Sequence, residues 1–325
     1  MIRALYRSEA GELQAKLTLP QIRKEIDSAK GLLWVDVDTA DPEGRSLLEH
    51  DFGFHSLAID DCYNGHLDTP KIDDYDSHLF IEAQSIDYSM QSNRLVLTEM
   101  GLFLGPHYVV TIHERPVPQV EDLLTRAVEN AHVMARGADF LAHTILDVMV
   151  DQILPAAEEM DEKLAELEQS ILESPEKQLL SEVLLLKRNT LRLRRSILPQ
   201  RDLVNRLSRG EFPKLIRPEA LIFYRDIYDH VVRIESLLEG LRDLADSALN
   251  SYLSSVNNRM NEIVKALSVV AVIFLPLTLI ASIYGTNLDL AFFGLEFKYG
   301  FELMLGGMLA LAAGMVAYFR NRGWF

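Results

Sequence analysis

Two apolar stretches at the end of the chain constrain its fold more than any other feature. No charged residue lies from Ala266 to Tyr284 or from Leu303 to Phe319. At about 1.5 Å per helical residue, each stretch is close to the length that spans a hydrocarbon core of about 30 Å. We therefore predict two membrane-spanning helices, at 266–284 and 301–319, rather than two buried helices of a soluble domain.

Positive residues flank this pair on the sides away from the connecting loop. Arg259 and Lys265 precede the first stretch, and Arg320 and Arg322 follow the second. Cytoplasmic flanks of membrane helices carry an excess of Lys and Arg. The sequence thus predicts a multi-pass protein of the inner (plasma) membrane with both termini in the cytoplasm, including a short tail at 320–325.

Residues spaced by three and four along the first apolar stretch form a seam of mostly small and polar side chains. The seam comprises Asn257, Asn261, Val264, Ser268, Ala271, Leu275, Thr278 and Ser282. Its period of about 3.5 is typical of helices wrapped around a common axis. Two interpretations fit: close packing with interhelical hydrogen bonds, or the wall of a pore with Leu275 as an apolar constriction.

The tripeptide Gly285, Thr286 and Asn287 ends the first apolar stretch and opens the loop 285–300. Glycine lets the chain leave a helix without steric cost. Asn287 could cap the helix, or its amide oxygen could contact a hydrated cation if several copies surround an axis. Asp289 and Glu296 in the same loop would attract cations electrostatically.

Composition excludes several functional classes. The net charge of −16 argues against nucleic-acid binding, which needs a basic surface. The lone Cys62 forms no intramolecular disulfide and no thiolate metal cluster. The first residues contain no apolar segment typical of a signal peptide. Nucleotide-binding and hydrolase motifs are absent, so we predict that the chain is not an enzyme and carries no covalently bound cofactor.

The residues before the apolar stretches predict an α+β domain followed by long helices. Strands are expected at 31–37, 78–83, 95–98, 100–104 and 108–113, and helices at 45–50, 57–62 and 118–135. These form an N-terminal domain at 1–140. A helical hairpin at 141–217 follows, with an acidic helix at 156–176 and a helix at 176–197 whose end is basic. The basic residues are expected to pair with carboxylates.

A single helix is predicted from Pro218 to Tyr284, with residues 218–265 as a cytoplasmic stalk and 266–325 as the membrane domain. Proline suits the first turn of a helix, where no N–H donor is needed. The helix would be roughly 100 Å long, and an isolated helix of that length needs partners. We therefore expect a homo-oligomer arranged around the helix axis and embedded in a lipid bilayer.

Several segments together resemble a known family. FLPLTLIASIYGTN at 274–287, YRDIYDHVVRI at 224–234, SYLSSVNNRMNEI at 251–263 and LAIDDCYNGHLDTPKID at 57–73 are similar to CorA-type metal ion transporters, the two-transmembrane GxN family that includes CorA, ZntB and CmaX proteins. This chain has GTN where the magnesium channels have GMN. The resemblance implies a funnel-shaped homopentamer and divalent cations, Mg²⁺ or Zn²⁺, as substrate or regulator.

The resemblance also implies roles for individual residues. The ion pathway would be lined by Asn287, Gly285, Thr286, Thr278, Leu275, Ala271, Ser268, Leu267, Val264 and Asn261. In this family a carboxylate of the N-terminal domain meets a stalk carboxylate of the neighbouring subunit across a divalent ion. The stalk residue corresponds to Asp226. Its partner position falls near Ser89, where Asp87 is the available carboxylate.

The predicted function is a divalent metal cation channel or transporter that passes hydrated ions through a pore. The alternative is a membrane-anchored regulatory or interaction protein that kept this architecture without transport. The GTN tripeptide and Ser89 favour that alternative. Ion uptake by the purified wild type, compared with that of the variant Asn287→Ala, distinguishes the two.

Overall fold

The computed structural model describes residues 1–285 and 300–324, and it divides into two compact units, Met1–Leu249 and Asn250–Phe325. In the first unit, seven strands form one sheet in the order β2-β1-β3-β7-β6-β5-β4. The strands are β1 (Ile2–Arg7), β2 (Leu13–Ala15), β3 (Leu32–Asp38), β4 (Lys71–Asp74), β5 (Leu79–Ser89), β6 (Arg94–Leu104) and β7 (Tyr108–His113). Only the β3–β7 pairing is parallel among these strands.

Helices cover the sheet on both sides. The first group is α1 (Leu19–Ser28), α2 (Gly44–Ser46, continued by a π-helical turn at Leu47–Asp51) and α3 (Ser56–Tyr63). Its apolar residues share a core with Val35, Phe80 and Phe103 of the sheet. The second group is α4 (Pro118–Glu129), α5 (Ala138–Asp151) and α6 (Ile153–Glu173), of which α5 contacts β5, β6 and β7. The predicted α+β class is confirmed.

The strand predicted at 95–98 and that predicted at 100–104 form one strand, β6, so their separation at Glu99 was wrong. Glu99 fits inside the strand because it lies opposite Gln84 of β5, and its carboxylate accepts a hydrogen bond of 2.5 Å from the backbone N–H of Asp68. The polar residue therefore finds a partner beside the sheet and does not end the strand. The helix predicted at 118–135 ends at Glu129, where the Asn130 side chain accepts from the His132 N–H and starts a short 3₁₀ turn.

Helix α7 (Lys177–Ser208) runs eleven residues beyond its predicted end at Ile197. It passes through Pro199 because the turns that follow bury Leu203, Val204 and Leu207, each no more than 2% exposed. That burial outweighs the one hydrogen bond that proline removes.

Helix α8 (Leu221–Gly285) follows a short 3₁₀ turn at Pro218–Ala220, and α9 is Gly300–Asn321. Basic residues of α7 pair with acidic residues of α8. The three ion pairs are Lys187–Asp246 at 2.5 Å, Arg194–Glu239 at 3.3 Å and Arg201–Glu235 at 2.8 Å. The predicted pairing of the basic segment with carboxylates is confirmed for Lys187 and Arg194, and Arg201 lies beyond that segment.

A buried carboxylate fastens the start of α8 to α5. Asp139 is 2% exposed, and Arg217 donates to it through Nε at 2.8 Å and through its backbone N–H at 3.1 Å. One turn into α8, the buried Tyr224 donates through its hydroxyl to the Asp139 carbonyl at 2.8 Å. Hydrogen bonds to an ionised group are stronger than those between neutral groups, so this contact fixes where the long helix begins.

Candidate pore helix and carboxylate cluster

Three described helical segments are long and apolar enough to cross a membrane: Ala138–Glu173, Pro218–Gly285 and Gly300–Asn321. The apolar part of the first is 56% buried inside the protein, whereas that of the second is 6% buried and that of the third 0%. The first segment therefore belongs to the core of the N-terminal unit. The other two include the stretches predicted to span the membrane, and α8 continues through Pro276 without a break.

Helix α9 lies on one side of the apolar part of α8. Lys265 donates through Nζ to the Gly323 carbonyl at 2.9 Å and lies 5.4 Å from the Trp324 ring centre. Farther along, Val272 lines a cavity of about 340 Å³ whose other walls are residues of α9. Val269, between these two positions, is 2% exposed. The side of α8 marked by Lys265 and Val269 is thus the side that α9 contacts, and Val272 beside it stays 48% exposed.

The seam predicted from the sequence is left exposed. Val264 is 53% exposed and Leu275 70%, and Leu267, which was assigned to the ion pathway beside the seam, is 68% exposed. The remaining described members that were assigned to the ion pathway are also exposed: Asn261, Ser268, Ala271, Thr278 and Gly285. Thr286, Asn287, Asp289 and Glu296 lie outside the described residues. The exposed seam mixes apolar and polar side chains and runs along much of the helix. Such a surface in a single chain typically contacts other subunits or lines a passage.

Two of the three hydroxyl groups of the seam, those of Ser268 and Thr278, have a defined orientation. Ser268 Oγ donates to the Val264 carbonyl at 2.7 Å, and Thr278 Oγ1 donates to the Phe274 carbonyl at 2.8 Å. Each hydroxyl proton is therefore used within the helix, and the lone pairs of the oxygen remain free to accept. The two side chains consequently offer acceptor oxygens, which suit a cation or its water shell.

Helix α9 contains glycines, which in membrane helices allow a neighbouring helix to approach closely. A Cβ added at Gly306, Gly307 or Gly314 would meet no heavy atom within 4 Å among the described residues. These glycines therefore do not mediate the contact between α8 and α9 of one chain. Another helix can therefore pack closely against α9 at these glycines.

A second candidate site lies at the base of α8 in the N-terminal unit. Oxygen or nitrogen atoms of Asp147, Asp151 and His230 lie within 4.8 Å of one another. His230 Nδ1 is 3.3 Å from Asp151 Oδ1. Burial, with smaller contributions from Asp151 and Asp226, raises the pKa of Asp147 to about 6. Two acidic side chains and an imidazole at this spacing can share a divalent cation or a proton.

Asp226 lies one helical turn before His230 on α8 and is exposed. Its charge acts on Asp147, so the predicted stalk carboxylate lies beside this cluster. Asp87 is exposed near the end of β5 and is not part of the cluster. Sequence reasoning missed Asp147, Asp151 and His230. The available signal was the four-residue spacing of Asp147 with Asp151 and of Asp226 with His230, which places each pair on one helix face.

A family model described as CorA-like Mg²⁺ transporter protein matches residues 29–321 of this chain. The chain belongs to this family. The predicted membership in the CorA-type family is thereby confirmed. As a member of this family, the chain is a divalent cation transporter rather than an enzyme.

Proteins of similar sequence cover most of the chain. The putative metal ion transporter YfjQ of Bacillus subtilis is 34% identical over 90% of this chain and 89% of its own length. The cobalt/magnesium transport protein CorA of Thermotoga maritima is also 34% identical, over 84% of this chain and 77% of its own. The complete structure of the CorA magnesium transporter from Methanocaldococcus jannaschii superposes with a TM-score of 0.84, at 20% identity, over 100% of this chain and 99% of that one. This last likeness confirms the predicted order of an N-terminal α/β domain, a long helix and C-terminal helices.

Proposed function

We propose that the chain forms a homopentameric channel for hydrated divalent cations in the inner membrane, with the apolar part of α8 lining the pore. The observation that carries this proposal is the exposed seam. Helix α9 contacts α8 at Lys265 and buries Val269, while Leu275 and Thr278 are uncovered. A pore helix needs this division, because one side must meet its outer neighbour and the other must meet the passage.

Several copies of the chain are needed to build such a passage. Two membrane helices cannot enclose a hydrated ion, and an isolated α8 would expose its large apolar surface. A ring of five α8 helices would place the seam around a common axis and would give the glycines of α9 a neighbouring surface to pack on. Both termini would lie in the cytoplasm, where Arg259, Lys265 and Arg320 would flank the membrane.

Passage of the ion follows from the chemistry of the seam. The described seam from Asn261 to Ser282 contains no charged side chain, so it offers neutral oxygens rather than carboxylates. Neutral acceptors hold the water shell of a divalent ion weakly, and several weak sites in series allow the ion to leave as well as enter. A ring of Leu275 would form the apolar constriction. Because the relative from Thermotoga maritima is named a cobalt/magnesium transport protein, Mg²⁺ and Co²⁺ head the list of proposed substrates, followed by Zn²⁺.

Uptake into proteoliposomes tests this function. Purified protein would be reconstituted, and entry of Mg²⁺, Co²⁺, Zn²⁺, Ni²⁺ and Mn²⁺ would be compared for the wild type and Asn287→Ala. We expect uptake of at least one ion and a loss of about tenfold or more in the variant, because the amide ring at the pore mouth would be gone. Asn258→Ala removes an exposed amide of α8 outside the seam and should transport at the wild-type rate.

Absence of uptake of every ion, from protein shown to be an intact oligomer, would reject the channel and favour the regulatory alternative. Equal loss in Asn287→Ala and Asn258→Ala would reject the assignment of Asn287 to the ion pathway.

We further propose that Asp226, with Asp147, Asp151 and His230 beside it, forms a cation-sensitive latch. Repulsion among Asp147, Asp151 and Asp226 disfavours their approach unless a cation or proton compensates. In an oligomer, the neighbouring subunit would supply the opposing carboxylate, for which Asp87 is the proposed residue. A divalent ion bound there would hold the closed state.

The latch predicts inhibition of uptake by cations on the cytoplasmic side. Wild-type proteoliposomes loaded with millimolar Mg²⁺ are expected to take up ions more slowly than unloaded ones, and Asp226→Asn should reduce this difference several-fold. The control is Asp229→Asn, which removes an exposed charge three residues along the same helix. Inhibition of Asp226→Asn to the same extent as Asp229→Asn would contradict the latch without affecting the channel proposal.

A further inference from the structure

Three carboxylates converge on one face of the sheet in the N-terminal unit, at the strands β4, β5 and β6. Glu82 of β5 lies opposite Lys71 of β4 and Gly101 of β6, and Glu99 is its diagonal neighbour on β6. Asp68 approaches from the loop before β4. One carboxylate oxygen from each of Asp68, Glu82 and Glu99 lies within 4.8 Å of the other two.

Glu82 is the residue that marks this cluster as a binding site. Its side chain is 1% exposed, and neither of its carboxylate oxygens has a hydrogen-bond partner among the described residues. A buried carboxylate without hydrogen bonds is strongly unfavourable unless a positive charge or a proton compensates it. When protonated, Glu82 can donate to the neighbouring Glu99 carboxylate, so a proton or a cation has to bridge this pair.

Lys71 compensates the cluster only in part. Its Nζ lies 3.6 Å from Glu82 Oε2, but it donates to Asp61 at 2.5 Å and also lies 3.8 Å from Asp73. One ammonium group is thus shared by several carboxylates. Burial and the neighbouring Glu99 raise the pKa of Glu82 to about 8, despite Lys71. Arg192 and Arg195 lie on walls of adjoining cavities, and neither forms an ion pair with the three carboxylates within the described part of the chain.

The surroundings give the cluster room and access. Glu99 lines a cavity of about 260 Å³, and Asp68 lines a neighbouring cavity of about 220 Å³. Opposite Glu82, Gly101 leaves no side chain on the face; a Cβ there would lie 2.6 Å from Cys62 Sγ. Water and small ions can therefore reach Glu99 and Asp68 from the cavities, whereas Glu82 lines neither of them.

The ligand oxygens are also held in place. Asn64 donates through Nδ2 to Asp68 Oδ2 at 2.6 Å, and the Asp68 backbone N–H donates to Glu99 Oε2 at 2.5 Å. Gln84 donates to the Asp68 carbonyl at 2.5 Å, which fixes the loop against β5. Such contacts orient metal ligands and reduce the entropy lost on binding.

We propose that Asp68, Glu82 and Glu99 bind a hard divalent cation such as Mg²⁺ or Mn²⁺ inside the N-terminal unit, with water completing the coordination. Carboxylate oxygens with water are the ligand set that these ions prefer. The site lies in the sheet and shares no residue with the α8 seam or with the Asp226 cluster. It makes the stability of the N-terminal unit dependent on divalent cations, whether or not the pore conducts.

Binding of Mn²⁺ to the full-length protein in detergent tests this site. Protein freed of metal with EDTA would be titrated with Mn²⁺, and the free ion would be followed by electron paramagnetic resonance. Glu82→Gln keeps the shape of the side chain and removes its charge. We expect this variant to bind one Mn²⁺ fewer per chain than the wild type. Glu114→Gln, which changes an exposed carboxylate on the same cavity wall, should retain the wild-type number.

Thermal unfolding supplies a second measurement on the same proteins. A cation at about 100 times its Kd should raise the Tm of the wild type by about 5–10 °C over the value in EDTA. Glu82→Gln should show a smaller increase than the wild type, because only the proposed Asp226 cluster would still bind the cation. In EDTA it should be at least as stable as the wild type because glutamine buries no charge. This also shows whether the variant folds. Wild-type Mn²⁺ stoichiometry in Glu82→Gln, or an unchanged response of its Tm to Mn²⁺, would show that Glu82 is held as the neutral acid and would overturn the site.

Discussion

Replacing Thr278 with valine is expected to lower divalent cation uptake by about tenfold or more, whereas replacing it with serine should leave uptake within about twofold of the wild type. The Thr278 hydroxyl donates to the Phe274 carbonyl and keeps its oxygen lone pairs available on the uncovered side of α8. Valine has the same shape without that oxygen, so every subunit loses one acceptor for the hydrated ion, at about 1 kcal/mol per lost hydrogen bond. Initial rates in proteoliposomes measure the effect.

Serine is the matched control because it retains the hydroxyl and changes the volume. If valine and serine reduce uptake equally, the shape of the side chain matters and its oxygen does not. Uptake at the wild-type rate in Thr278→Val would remove Thr278 from the ion pathway, even if Asn287→Ala abolishes transport.

Arg217→Ala is expected to destabilise the N-terminal unit by about 3 kcal/mol, which corresponds to a fall in Tm of about 6–12 °C. The substitution leaves Asp139 buried, at 2% exposed, without its principal cation. Removing one partner of a buried ion pair costs about 3–5 kcal/mol. The lower value applies here because the Arg217 side chain itself is 54% exposed. Thermal unfolding of the full-length protein, followed by tryptophan fluorescence or circular dichroism, would measure the shift.

Two further variants separate the charge effect from a general loss of packing. Arg225→Ala removes an exposed arginine of α8 that has no ion pair among the described residues, and it should change Tm by no more than about 1–2 °C. Asp139→Asn combined with Arg217→Ala removes the uncompensated charge and should recover part of the loss. A double variant less stable than Arg217→Ala would contradict this explanation of the contact.

The sequence was most informative where one residue pattern determines one element. The long helix opened by Pro218, the pair of apolar stretches and the strands at Leu32–Asp38 and Tyr108–His113 follow from local periodicity and composition, and the structure places them within a few residues. The seam was predicted for the same reason, because its members share a helix and their spacing fixes their face. Whether that face lines a pore does not follow from spacing alone.

The clusters of charged residues were much harder to predict. Asp68, Glu82 and Glu99 are distant in sequence and meet only because β5 pairs with β6 in one register; a shift of one residue would send Glu82 to the other face. Likewise, His230 meets Asp151 only because α8 packs beside α5. Single-sequence periodicity contains neither the register nor the packing partner. Strand β6 illustrates the same limit, because the polar Glu99 looked like a break until its partner from the Asp68 loop was known.

Cys62, which lies against Gly101, has a practical consequence for labelling. It is the one cysteine in the sequence, and burial with the neighbouring carboxylates raises the pKa of its thiol well above the ordinary value. Thiol reagents react with the thiolate, so this native side chain should react slowly at neutral pH. A cysteine introduced at an exposed position such as Leu275 or Ala271 would then be the fast-reacting thiol of the chain. Methanethiosulfonate labelling could thus map solvent access along α8 without first removing the native cysteine.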